Sequence, residues 1–212
     1  GIPLFAVETV RALIDRDAVV PRDGRYVPAE GVELTLGSLG APASLQALVA
    51  ARLDALSPDE RRLVADAAVL GAAFTREGLM ALAGSDEIDP VLSSLQRKEI
   101  VAIQTDRLSS EVGQYKFVQA VVRQVAYSTQ SKRDRKQRHV LAAEFLEEQL
   151  EESEDLSIVI AQHLLDAVDA SAPGDDDVVG LTERAVAMLE RAAQRAGSLG
   201  APGEALRLVQ TA

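Results

Sequence analysis

Apolar side chains recur every three or four residues along most of the chain, and this spacing predicts α-helices. Proline, glycine and short polar runs interrupt the repeat and divide it into segments of helical length. A helix-rich fold is therefore expected. The predicted helices cover approximately residues 4–15, 44–56, 58–71, 75–84, 90–99, 119–130, 133–151, 156–170, 177–198 and 202–212.

Residues that cap helices mark several of these ends. In the tetrapeptide 57–60, the Ser57 side chain can accept from the Glu60 N–H, while the Glu60 carboxylate reaches back to the Ser57 N–H. Proline fills the first helical position there, where its missing N–H costs nothing. Thr75 predicts a further helix start, and Gly84 predicts the end of that helix.

Two places change from helical spacing to the alternation typical of strands. Residues 19–21 and 25–27 flank an Asp-Gly pair, which favours a tight hairpin turn. Residues 100–104 and 114–118 form the second pair of strands, and the polar stretch 106–113 lies between them. Three helices followed by a β-hairpin are the element order of a winged helix.

The expected fold class is mainly α, with a winged-helix domain that carries a small β-hairpin, followed by a helical bundle resembling tetratricopeptide repeats. The pattern predicts three units: a connector region at 1–43, a winged-helix-like domain at 44–130, and a helical bundle at 131–212. The residues expected to serve core packing rather than chemistry include Leu4, Val7, Leu45, Leu48, Leu53 and Leu63.

Composition narrows the possible partners. The formal net charge is −11, which disfavours a general attraction to nucleic acid or to an anionic membrane. Aromatic residues make up 3% of the chain, so platforms for stacking bases are scarce. No apolar run approaches the ~20 residues that span a bilayer. The absence of cysteine fits a reducing compartment, and we expect a cytoplasmic protein.

Candidate chemistry is sparse. The only histidines are His139 and His163, and neither has a cysteine or a suitably spaced acid for metal binding, so packed helix histidines are the favoured interpretation. One cationic cluster stands out. It is interpreted first as a solvated or internally paired helix start, and second as a patch for an anion, an acidic partner or a neighbouring domain. Its members are Arg123, Lys132, Arg133, Arg135, Lys136 and Arg138.

A winged helix invites a comparison with DNA-binding proteins. The segment from Pro90 to Glu99 would be the recognition helix, and Arg97 and Lys98 are its cations. Acids at positions 86, 87, 89 and 99 would oppose an approach to phosphates, so a role as a protein-contact or spacer module is favoured. Tight, steeply salt-dependent binding in a gel shift would favour DNA binding instead.

The residues Gly1-Ile2-Pro3-Leu4-Phe5 resemble the Gly-x-Pro-Leu motif of the signal-transduction ATPases with numerous domains. Further segments resemble the same family in the same order, through His139 and His163. They are Ser44–Leu48, Arg52–Leu56, Ala67–Gly71 with Phe74, Leu95–Ile100, Tyr115–Phe117 and Val122–Tyr127. One departure is Gln119, where relatives often have histidine.

The resemblance implies a role and a set of partners. Residues 1–43 would be the end of the ATPase helical region with its connector, where Gly1 and Pro3 approach the adenine base. ATP and Mg²⁺ would be held mainly upstream, because this chain has no Gly-x-x-x-x-Gly-Lys-Ser/Thr loop. We therefore expect a non-catalytic piece of a larger bacterial ATPase, without a cofactor or measurable ATP binding of its own.

In that interpretation the chain relays nucleotide state from an upstream nucleotide-binding domain to further helical repeats and to an output domain, either a nucleotide cyclase or a LuxR-type transcription regulator. Two alternatives stay open from the residues alone. One is a DNA-binding transcription regulator that uses the winged helix directly. The other is a helical scaffold that binds a protein partner.

Overall fold

The computed structural model describes residues 14, 19–22, 25–29, 45–105, 113–149 and 156–198. The described fold is mainly helical with two small antiparallel sheets, as expected from the sequence. The helices predicted at 202–212 and, apart from residue 14, at 4–15 lie outside the described residues. Gly1 and Pro3 lie outside them as well.

The first sheet is the predicted hairpin near the amino-terminal end. Strand β1 (Val19–Arg22) pairs antiparallel with β2 (Arg25–Pro28), and Val20 lies opposite Val27. The alternation of side chains and the Asp-Gly pair thus predicted these two strands correctly, although the two turn residues themselves lie outside the described part.

Four helices follow, the second and third of which begin after the capping residues that predicted them. They are α1 (Leu45–Asp54), α2 (Pro58–Leu70), α3 (Arg76–Ala83) and α4 (Asp89–Arg97). Ser57 and Glu60 form the reciprocal capping box of α2, and Thr75 caps α3 by accepting from the Gly78 N–H. Helix α3 ends at Gly84, whose left-handed φ of 63° favours glycine.

The second sheet has three short strands in the spatial order β3-β5-β4. Strands β4 (Val101–Ile103) and β5 (Tyr115–Phe117) are the predicted hairpin. Strand β3 (Ala73–Phe74) was not predicted, because two residues between helices carry no alternation. Its Phe74 packs against the rings of Tyr115 and Phe117, with centroids 6.2 and 5.7 Å away.

Helices α1 to α4 and the second sheet enclose one hydrophobic core, to which α5 (Ala120–Ser128) also contributes. Of the six residues expected to pack in a core, Leu48, Leu53 and Leu63 are buried, whereas Leu4, Val7 and the side chain of Leu45 lie outside the described part of the chain. The largest fully buried side chains of this core are Val49, Val64, Leu79, Leu92, Leu95, Ile100, Val101 and Val122.

Three longer helices form a second core. They are α6 (Lys132–Glu148), α7 (Leu156–Asp169) and α8 (Val178–Ser198), and each packs along the next. Ile160 and Leu164 of α7 lie at the centre of this core without solvent exposure. The separate helices predicted at 133–151, 156–170 and 177–198 are therefore observed close to those bounds.

A small third cluster joins the two cores. Val69 of α2, Leu82 of α3 and Ala142 of α6 are buried against one another. Helix α6 thus belongs to the second core along one side and contacts the first core along another. None of the helices in the described part of the chain is both long and apolar enough to cross a bilayer.

Candidate functional site

The predicted cationic cluster begins at the turn between α5 and α6. Ser131 caps α6 by accepting from the Asp134 N–H over 3.1 Å, and this starts the helix one residue before the predicted position. Arg123 lies on α5, and the other five basic residues of the cluster lie on the first two turns of α6. Because successive positions on a helix point in different directions, the side chains of the cluster lie in three different surroundings.

Arg138 points to the first core and pairs with Asp66 of α2, with Nε 2.7 Å from Oδ1. The Asp66 side chain is only 3% exposed, and burial raises the pKa of its carboxyl while Arg138 opposes that rise. The other carboxylate oxygen accepts no hydrogen bond from any residue that the structure describes. The pair therefore links α6 to α2, and this link needs both the Arg138 guanidinium and the Asp66 carboxylate.

Arg123 and Arg135 lie at a polar junction between α5, α6 and α7. Arg123 donates from Nε to the Ala68 carbonyl, 3.1 Å away. The Arg135 guanidinium lies over the ring of Tyr127, 5.3 Å from its centroid, in a cation–π contact. Neither arginine lies with the exposed cations of α6, so the six predicted residues are not one patch.

The two histidines meet at this junction. The Nδ1 atoms of His139 and His163 are 2.9 Å apart, and His139 Nε2 is 2.8 Å from the Tyr127 hydroxyl. At that distance one Nδ1 donates a hydrogen bond and the other accepts it. The accepting Nδ1 carries no proton, so at least one of the two imidazoles is neutral. The favoured expectation of packed, hydrogen-bonded histidines is confirmed, but their mutual contact was not foreseen.

Burial fixes the charge state of this chain of hydrogen bonds. His139 is 2% exposed, and burial, with the nearby His163, Arg135 and Arg123, lowers its pKa to about 3. Burial also lowers the pKa of His163, partly opposed by Asp166. Both rings are therefore neutral at physiological pH.

Tyr127, the third member of this chain of hydrogen bonds, was not predicted from the sequence. His163 lies on an apolar helix face between Ile160 and Leu164, and Tyr127 is the closest tyrosine before both histidines. That combination was the available signal. Among the ranges that the structure describes, no group of three or more His, Cys, Asp or Glu side chains is arranged to hold a metal ion.

Lys132, Arg133 and Lys136 face the opposite side of α6, where they line a groove between α6 and the connection from α7 to α8. We call it the basic groove; its volume is about 660 Å³, and its lining also includes Gln137, Val140, Leu141, Ala170, Ala172, Asp175 and Asp177. Lys136 Nζ is bound by Asp175 Oδ2 at 2.6 Å and by Asp177 Oδ1 at 2.5 Å. These hydrogen bonds raise the pKa of Lys136.

Of the two cations predicted for the recognition helix, Lys98 is engaged by the protein itself, whereas Arg97 is exposed. Lys98 Nζ, just after α4, lies 2.8 Å from Glu60 Oε2, and the Lys98 carbonyl accepts from Arg52. At the start of α4, Asp89 is paired with Arg76, with 2.7 Å between Nη2 and Oδ2. Internal pairs thus engage Lys98 and Arg76, and they leave Arg97 as the exposed cation of α4.

Neither the scan against models of protein families nor the searches of curated proteins and of solved structures finds a match to this chain.

Proposed function

We propose that residues 44–130 form a winged helix, that residues 131–212 begin a tetratricopeptide-like array, and that together they are the relay part of a signal-transduction ATPase with numerous domains. The element order supports the first part. Helix α2, strand β3, helices α3 and α4, and the β4–β5 hairpin follow one another as in a winged helix, with β5 between β3 and β4. The stacked α6, α7 and α8 support the second part.

The observation that carries the relay role is the interface between the two cores, which we call the seam. Three independent contacts cross it: the Arg138–Asp66 pair, the hydrogen bond between Tyr127 and His139, and the buried cluster around Ala142. Because interfaces with buried polar pairs resist gradual deformation, a displacement of the first unit is transmitted to the helices of the second. A relay requires this property, whereas two units on a flexible linker lack it.

In the proposed mechanism, the nucleotide state of an upstream ATPase module changes how that module holds residues 44–130. ATP and Mg²⁺ bind upstream, with Gly1 and Pro3 near the adenine by family resemblance, and this chain contributes no catalytic group. The helical repeats pass the movement to a cyclase or transcription-regulator domain. The proposed setting is the bacterial cytoplasm.

Direct DNA reading by α4 is the weaker candidate. A recognition helix needs cations that are available to phosphates. Here Lys98 is bound to Glu60, which leaves Arg97 as the exposed cation of α4, and the exposed acids Asp86 and Glu87 precede the helix. A gel shift at low salt with mixed-sequence duplexes tests the alternative, and we expect no retention. Retention that falls steeply with added salt would favour DNA binding.

Two measurements test the relay proposal. The gene that encodes this chain should encode a phosphate-binding loop upstream of Gly1, in the same reading frame. In the full-length product, hydrogen exchange should differ between ATP and ADP both in residues 58–97 and in residues 132–169. A reading frame without such a loop, or a nucleotide effect confined to the first of these regions, would contradict the proposal.

A further inference from the structure

The charges of α6 are arranged against the helix dipole. Its first two turns carry five basic residues, and its last turn carries none, while Glu144, Glu147 and Glu148 lie toward its carboxyl end. Cations stabilise a helix at its carboxyl end and destabilise it at its amino end. Stability of the isolated helix therefore does not explain the basic run, and its members must serve contacts with other groups.

Those contacts are internal for four of the six members of the predicted cluster: Arg123, Arg135, Lys136 and Arg138. Lys132 and Arg133 differ, because both are exposed and neither has a hydrogen bond or ion pair with any residue in the described ranges. They lie at the rim of the basic groove, beside Lys136. Two unpaired cations therefore flank the place where the protein already binds carboxylates.

The floor of the basic groove is apolar. Val140 and Leu141 of α6 are half-buried and face it, and the buried Ala170 closes it from the end of α7. The connection from α7 to α8 supplies Asp175 and Asp177, which bind Lys136 from one side. The groove thus offers carboxylate-binding nitrogens along its rim and an apolar strip beneath them.

We propose that the basic groove is the docking site for an acidic amphipathic helix of a partner protein. Glutamates or aspartates of that helix pair with Lys132 and Arg133, and its leucine-type side chains cover Val140 and Leu141. Asp175 and Asp177 act as internal competitors, because they already occupy Lys136 in the unbound chain. This proposal is independent of the ATPase assignment.

Charge and shape favour this occupant over nucleic acid or a second copy. A duplex needs an extended cationic surface, whereas this groove has an apolar floor and lies on a chain with a net charge of −11. A second copy would carry the same net negative charge, and repulsion opposes its approach. A short acidic helix places few charges near the chain and uses both rim and floor.

The probe is a fluorescein-labelled helical peptide of the same length as α6, with leucines at i, i+3, i+4 and i+7 and glutamates elsewhere. Fluorescence anisotropy should show saturable binding to the whole chain that weakens as salt rises. The Lys132→Glu/Arg133→Glu variant should bind at least about tenfold more weakly, a loss typical of reversed charges at an interface. The matched control reverses two exposed arginines elsewhere, Arg97→Glu/Arg191→Glu, and should change affinity by less than about twofold.

The internal competition has its own test. Asp175→Asn/Asp177→Asn releases Lys136 while the asparagines keep their hydrogen-bonding capacity, so the peptide should bind about three- to tenfold more tightly. Asp169→Asn/Asp176→Asn removes the same charge nearby without touching Lys136, and the affinity should change by less than about twofold. Equal gains in the two variants would overturn the competition and leave only general attraction.

Two further outcomes would overturn the docking site itself. One is equal binding of a peptide with the same composition whose leucines are scrambled off one face, because the apolar floor then plays no part. The other is tighter binding of a short DNA duplex than of the peptide at the same salt concentration. All of the changed residues are partly or fully exposed, and circular dichroism of each variant confirms that it is folded before binding is compared.

Discussion

Asp66 and His139 are each 2% exposed, and each depends on a side chain from another helix. Asp66 is an acid in an apolar surrounding, held by Arg138. His139 is a base in an apolar surrounding, held between Tyr127 and His163. In both cases burial disfavours the charged form. Asp66 has the Arg138 guanidinium 2.7 Å away, whereas the carboxylate nearest to His139, that of Asp166, lies 3.8 Å from Nδ1, and Arg135 and Arg123 further disfavour a charged ring. Their responses to mutation and to pH should therefore differ.

Arg138→Met should destabilise the chain by about 3 kcal/mol at pH 7, because it leaves a buried carboxylate without a counter-charge. The loss should be smaller at pH 5, since the pKa of Asp66, already raised by burial, rises further without Arg138 and the acid then takes up a proton. Urea unfolding at both pH values measures the effect. Arg133→Met, an exposed position on the same helix, is the control and should shift stability by less than about 0.5 kcal/mol. Equal losses in the two variants would show that the buried pair contributes nothing special.

The histidine pair should make the protein less stable as pH falls from 7 to 5.5. An unfolded histidine takes up a proton near its usual pKa of about 6.5, whereas His139 in the folded chain resists protonation down to about 3. A lowered folded pKa means that this contribution is complete above 6.5 and is lost progressively as pH falls toward 3. We expect a loss on the order of 1–2 kcal/mol by pH 5.5, measured by urea unfolding.

The variant His139→Gln isolates that effect. It removes the titrating ring but retains a hydrogen-bonding side chain, so stability at pH 7 should fall while its dependence on pH becomes weaker. A variant with the same slope between pH 7 and 5.5 as the natural chain would assign the acid sensitivity to other groups.

At the scale of elements, the amino end of α2 is a small network that ties α2 to α4. Glu60 Oε2 accepts from the Ser57 N–H and from Lys98 Nζ, each at 2.8 Å, and Oε1 accepts from the Ser94 hydroxyl at 2.7 Å. Burial raises the pKa of Glu60, but these hydrogen bonds outweigh it and lower the pKa to about 2. The sequence predicts this capping box as a contact within the first turn of α2, but its glutamate thus also binds α4.

Glu60→Gln should therefore cost more than the loss of the cap alone. We expect about 1.5–3 kcal/mol for Glu60→Gln, because charge-assisted hydrogen bonds are lost, and about 1 kcal/mol for Ser57→Ala. Asp59→Asn, an exposed acid in the same first turn, is the control and should cost less than about 0.5 kcal/mol. Thermal unfolding followed by circular dichroism ranks the three. If Glu60→Gln and Asp59→Asn prove equally mild, the network carries no stability beyond the helix dipole.

The same elements show how far sequence could predict the fold. Helices α2 and α3 were predictable because Ser57, Thr75 and Gly84 satisfy helix ends through their own backbone neighbours. Strand β3 was not predictable, because its identity comes from pairing with β5, more than forty residues away. The contact between the two histidines was not predictable for the same reason, since His139 and His163 meet only when α6 packs on α7.

The cationic cluster was predicted as a run and observed as three groups. The sequence shows which residues are basic, but the direction of each side chain depends on which helix lies alongside. Arg138 and Lys136 are two positions apart, yet they bind acids 109 residues apart in sequence, at 66 and 175. A helical rotation of about 100° per residue explains the separation, but the acids could not be assigned before the packing was known.

At the scale of the whole molecule, two hydrophobic cores share α6. The seam between them is small in apolar area, and polar contacts from α6 to α2 and α5 supplement it. A seam of this kind should make both cores unfold together, because opening it exposes unpaired polar groups as well as apolar surface. Loss of the seam should leave each core with its own stability.

Ala142→Glu tests that coupling, because Ala142 has no solvent exposure and lies in the cluster that joins the cores. In the natural chain, hydrogen exchange in increasing urea should give one opening free energy for residues 58–97 and 156–193. A buried glutamate should split these values, since it forces α6 away from α2 and α3 while α7 and α8 keep their mutual contacts. Ala187→Glu, on an exposed position of α8, should leave the two values equal. If the Ala142 variant also keeps one common value, the cores are coupled by something other than this seam, and the transmission of movement proposed for the relay loses its structural basis.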